Sequence, residues 1–203
     1  MRSFVSALRI LLCALPIVLL CTASGRLMLP LAAAVFIHEC AHLLALRLAH
    51  GRLRGFCAAP FGLRLEIDEN TLSAGGEALV SAAGSAANLL CFLLSLLLYR
   101  FFAVDFLTFG IISLLSAGLN LLPAEPLDGG RLLYLLLARR TDPLRASRIT
   151  SGVSFVCALM IFLFSSYSML TGGQGLYALL FSLYLLLVAA RGAGVIYPSK
   201  KRG

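Results

Sequence analysis

His38-Glu39-Cys40-Ala41-His42 sets two imidazoles four residues apart with a carboxylate beside the first. On a helix, residues four apart differ by about 40° in azimuth and share a face. One nitrogen from each ring can then reach a single tetrahedral Zn2+. Glu39 lies about 100° round from His38, close enough to take a proton from water held at that metal without binding the ion. HExxH is the pattern in which this division of labour works. The pentapeptide sits in an apolar run, where ionisable groups are expensive and are kept for chemistry.

A catalytic zinc takes three protein ligands and keeps one open position. With Glu39 set aside as base, few carboxylates remain at membrane depth. Glu66, Asp68, Glu69 and Glu77 fall in a polar loop, Asp105 at the outer end of an apolar run, and Asp142 in a basic loop. Asp128, which precedes Gly129 and Gly130, is the favoured third ligand. Its structural alternative is the N-cap of a helix beginning at Gly129, and a carboxylate has an oxygen for each role. Glu125 is the rival ligand, otherwise an interfacial charge. His50, eight residues past His42, reads as interfacial. Asn120 can donate to a substrate carbonyl or a developing oxyanion, or bond between helices. Asn88, with Gly84 and Ser85 before it, gives its segment a small polar face that suits close helix packing or the site.

The elements that must position these groups are membrane helices. The 203 residues are 60% hydrophobic and 13% charged, far from the balance of a soluble domain. Six apolar runs stand out, near residues 10–23, 27–48, 78–99, 102–122, 151–170 and 176–190. The fourth passes into Pro123-Ala124-Glu125-Pro126-Leu127-Asp128-Gly129-Gly130 and then resumes a helical pattern to Ala138. Such irregular backbone is tolerated at membrane depth only where protein buries it or it lines a polar cavity. Residues 51–77 are polar, and Leu63-Arg64-Leu65-Glu66-Ile67-Asp68 alternates with period two, the mark of a short strand. Gly55-Phe56-Cys57 is its candidate partner. The expected fold is an all-α polytopic membrane protein of about six spans. A short membrane-associated strand or hairpin lies between the second and third. The first run reads as an uncleaved span rather than a signal peptide.

The net charge of +8 is not a nucleic-acid footprint, because the basic residues fall between apolar runs and at the chain ends. With the N-terminus in the cytoplasm, only Arg26 and Arg100 of the 17 Lys and Arg fall outside, leaving 15 inside. Both termini are then cytoplasmic, and residues 51–77 form a cytoplasmic loop. His38 stands about ten residues, roughly 15 Å, before the cytoplasmic end of its helix. The six Cys show no paired spacing and behave as small apolar residues.

Asn120-Leu121-Leu122-Pro123-Ala124-Glu125-Pro126-Leu127-Asp128-Gly129-Gly130 resembles the NxxPxxPLDGG signature of the site-2 protease family, peptidase family M50. His38-Glu39-Cys40-Ala41-His42 matches that family's HExxH helix, with the same order and spacing of motifs. The six-span layout is similar to the bacterial branch containing stage IV sporulation protein FB. The resemblance implies one Zn2+ held by His38, His42 and Asp128, with Glu39 as base and Asn120 assisting at the substrate. The family's GPxxN is represented by Gly84-Ser85-Ala86-Ala87-Asn88, in which the proline is replaced.

The resemblance implies a single membrane-embedded metalloprotease domain over residues 1–195, followed by a basic cytoplasmic tail at 196–203. Its expected partners are membrane lipid and a substrate with a transmembrane or membrane-associated segment, cut near the cytoplasmic face. Two other classes stand beside it: a non-proteolytic relative that binds a partner, and a metal-ion transporter. The transporter would need ionisable groups along a path through several spans, whereas here they concentrate at one place.

Overall fold

Helix α1 (Gly25–Leu48) buries Ala34, His38, His42 and Ala45, one residue per turn, while Val35, Phe36 and Leu44 face outward. That apolar exterior with a narrow buried stripe is what a helix in lipid presents. The computed structural model describes residues 25–51, 53–59, 62–67, 72–102, 106–171 and 176–190. The first apolar run, residues 10–23, and the tail at 196–203 lie outside the described residues. Two compact units divide the chain, Met1–Ala117 and Gly118–Gly203.

In the first unit α1 ends in a double turn. His50 N donates to the Arg47 carbonyl at 3.0 Å and Gly51 N to the Leu46 carbonyl at 2.9 Å. This pattern places the first of the two donors in the left-handed region, and His50 has φ 53°. The exposed His50 is therefore a helix-ending residue. Strands β1 (Leu53–Ala59) and β2 (Gly62–Ile67) follow and pair antiparallel, with Ala59 opposite Gly62 and Leu53 opposite Ile67.

Helix α2 (Ala74–Phe101) starts four residues before the apolar run that announces it. Ser73 caps it, its Oγ accepting from Gly76 N at 3.1 Å, so Ala74-Gly75-Gly76-Glu77 is its first turn. Its buried residues are Val80, Ser81, Gly84, Ser85, Asn88 and Ser95, mostly small. Small residues let two helix backbones approach closely, and α2 packs on α1 through this face. Leu46, Ala45, Leu72 and Val80 close the contact at one end. Ser95 satisfies its hydroxyl on the Cys91 carbonyl at 2.7 Å, as buried serines in helices do. Helix α3 (Phe106–Asn120) follows.

In the second unit the chain leaves α3 through tight turns, with a cis peptide between Glu125 and Pro126. Helix α4 (Asp128–Ala138) then begins hard against those turns. A Cβ on Gly129 would overlap the Leu121 and Leu122 carbonyls, and one on Gly130 would stand 2.7 Å from the Ala124 carbonyl carbon. Only glycine fits at either position.

Helix α5 (Pro143–Leu170) begins eight residues earlier than its apolar run suggests. Asp142 caps it, Oδ2 accepting from Leu144 N at 3.1 Å, with Pro143 at the first helical position. The apparent basic loop around Arg145 and Arg148 is thus the opening of this helix. It packs against α4 and against α6 (Leu176–Ala190). Three described helices are long and apolar enough to cross a membrane: Leu27–Leu48, Ala74–Phe101 and Pro143–Leu170. Phe106–Asn120 and Ala178–Ala190 are apolar but shorter.

Candidate metal centre

His38 and His42 occupy successive turns of α1 and are 6% and 7% exposed. Their rings stand nearly perpendicular, centroids 4.6 Å apart, and the two Nε2 atoms are separated by 3.0 Å. Two nitrogens at about 2.05 Å from a tetrahedral zinc are separated by roughly 3.3 Å, so the pair needs little adjustment to share an ion.

The far side of each ring is held by α2. Nδ1 of His42 lies 2.7 Å from the Val80 carbonyl oxygen. A carbonyl only accepts, so Nδ1 carries the proton and Nε2 keeps its lone pair toward His38. Nδ1 of His38 faces the Asn88 side-chain amide at 3.4 Å. Asn88 is fully buried and also bonds Ser116 Oγ at 3.1 Å.

Gly84 fills the position between Val80 and Asn88. A Cβ there would stand 2.5 Å from Nε2 of His42 and 2.7 Å from Nε2 of His38. The absent side chain leaves room beside both nitrogens, the room an ion and its water need. Two imidazoles converging on one point, each with its other nitrogen engaged and a cradle kept clear by glycine, fit a borderline-soft divalent cation such as Zn2+.

The other expected site residues are placed as follows. Glu39 is half-buried on α1, one residue past His38. Asn120 is the last residue of α3 and half-buried. Asp128 is the first residue of α4 and half-buried. The structural alternative for it, a helix N-cap, is not met: the cap position is Leu127, and Asp128 stands inside the first turn. Glu125 is 1% exposed rather than interfacial, and its backbone N donates to Ser154 Oγ at 2.9 Å. Ser154 in turn donates to the Thr150 carbonyl at 2.7 Å. Sequence reasoning missed the Val80 carbonyl, which no side-chain pattern announces, and Ser116, one hydroxyl among many.

A polytopic helical fold with a paired-histidine centre inside an apolar bundle defines a class of membrane metalloprotein. Comparison narrows it. The profile of peptidase family M50 matches residues 100–164. A zinc metalloprotease of Methanocaldococcus jannaschii is 26% identical over 141 residues, which take in 66% of this chain and 41% of the relative. The chain thus spans under half the length of that relative. The structure of a site-2 protease from the same organism superposes with a TM-score of 0.66 at 23% identity, covering 87% of this chain and 82% of that one. The chain is similar to peptidase family M50 over that stretch and shares the fold of the site-2 protease.

Proposed function

We propose that this chain is a zinc-dependent intramembrane endopeptidase, with residues 1–195 as one catalytic domain. His38, His42 and Asp128 hold one Zn2+. The observation that carries the reading is the histidine pair: Nε2 atoms 3.0 Å apart in an apolar helix, beside a glycine whose Cβ would fill the space between them. A purely structural cluster would not require that space. The similarity to the Methanocaldococcus relative, a zinc metalloprotease, supports the same choice of metal and reaction.

Zinc bound there supplies Lewis acidity, acidifying water and polarising a carbonyl. Glu39 takes the proton from the attacking water and passes it to the departing amine nitrogen. Asn120 donates to the substrate carbonyl oxygen as it gains charge. The Val80 carbonyl keeps the Nε2 lone pair of His42 available throughout.

The substrate is a transmembrane or membrane-associated segment of a regulatory protein. The excess of basic residues on one side supports cytoplasmic termini and cutting near the cytoplasmic face of the cell membrane. Peptide bonds within an intact helix are shielded, so the segment must unwind. An edge of the β1–β2 pair is suited to receive it as an added strand. The six apolar runs of the sequence support the branch containing stage IV sporulation protein FB.

Co-expression with tagged single-pass membrane proteins tests the activity. A shortened product that appears with wild type and is absent with Glu39→Gln is expected. Identical product patterns from the two would overturn the protease reading.

A further inference from the structure

Helix α2 meets the histidines at every fourth residue, through the Val80 carbonyl, Gly84 and Asn88. Val80 settles the tautomer of His42. For His38 to ligate through Nε2 its proton must also sit on Nδ1, and a buried N–H there requires an acceptor. The group facing Nδ1 is the Asn88 amide. As placed, Nδ2 of Asn88 lies 3.4 Å from Nδ1 and 3.1 Å from Ser116 Oγ, while Oδ1 is buried with no hydrogen-bond partner. The two ends of an amide are nearly isosteric. A half turn about Cβ–Cγ sets Oδ1 where Nδ2 stands, within reach of two donors, the Nδ1 proton of His38 and the Ser116 hydroxyl.

We propose that Asn88 is a positioning residue that, through Oδ1, holds His38 in the Nδ1-protonated, metal-ligating tautomer, with Ser116 steadying the amide. This rests on the metal-binding reading above. Asn88 is fully buried. It acts through His38, as acceptors behind metal-bound imidazoles do.

The test uses the full chain in detergent micelles, titrated with Zn2+ against a chelator of known affinity. Asn88→Leu, which has the size but no acceptor, should weaken zinc binding by about 10–100-fold. Asn88→Asp, whose carboxylate accepts the same proton, should restore most of that loss. Wild-type affinity in Asn88→Leu would overturn the proposal. So would an Asn88→Asp variant as weak as Asn88→Leu, the result of a packing role alone. Nitrogen-15 spectra of the zinc-loaded wild type need no variant to fold: a protonated Nδ1 on His38 is expected, and a bare Nδ1 would sink the idea. His38→Ala separates the two readings. If it binds zinc like wild type, the metal centre itself is wrong; if it loses zinc while Asn88→Leu keeps it, only the role of Asn88 falls.

Discussion

Gly84 and His42 approach so closely that a Cβ on the glycine would stand 2.5 Å from Nε2 of the histidine. The contact joins two helices 42 residues apart in sequence and decides how much room the metal centre has. Gly84→Ala should therefore force the rings or the helices apart. Zinc affinity is expected to fall by about 10-fold or more, measured by chelator competition. Unchanged affinity would show that the space beside the nitrogens is not where an ion sits.

Glu39 should be separable from metal binding, because a base that moves protons need not be a ligand. Glu39→Gln is expected to lower the cleavage rate by about 10²–10⁴-fold while retaining one zinc per chain. Metal analysis of the purified variant, run beside the cleavage assay, checks both halves. Loss of zinc would move Glu39 into the ligand set.

Asp128 stands in the first turn of α4, one residue past the N-cap position, which is Leu127. Asp128→Asn should thus cost the fold little, about 0.3–1 kcal/mol from the lost charge at the helix start. Zinc affinity should nevertheless drop sharply. A variant that keeps its zinc would pass the third-ligand role to Glu125, the buried carboxylate among the described residues.

Glycines in two helices should respond in opposite directions. Gly129→Ala drives a methyl group into the Leu121 and Leu122 carbonyls and should destabilise the protein by at least about 3 kcal/mol, seen as a lower unfolding temperature in micelles. Gly152 in α5 has open space where a Cβ would go. Gly152→Ala is expected to be neutral or to stabilise by about 0.5–1 kcal/mol.

Ser154 is the acceptor for the backbone N–H of Glu125 in the turns before α4. Ser154→Ala leaves that buried donor unsatisfied and should cost about 1–3 kcal/mol. Faster amide exchange at Glu125, relative to α5 itself, would locate the loss. Equal exchange in both proteins would show that the bond does not hold the turn.

The most legible features were those set by local geometry. Helical periodicity alone puts His38 and His42 on one face, and the length of apolar runs alone marks α1, α2 and α5 as helices able to cross a membrane. Helix starts were less legible. Residues 74–77 hold two glycines and Glu77, and residues 143–150 hold Arg145 and Arg148, so neither joins an apolar run, while Ser73 and Asp142 supply the caps that make them helical. The structural alternative for Asp128, a helix cap, was not met because a preference for that position says nothing of where the preceding turn leads the backbone. Packing alone decided the rest. The Val80 carbonyl at His42 and Asn88 at His38 lie 38 and 50 residues from their partners, and Gly84 shows its purpose only when α2 is laid on α1. Spacing along a chain determines which groups share a helix face; which groups then meet across two faces depends on how closely the backbones approach, and that is a property of the folded pair.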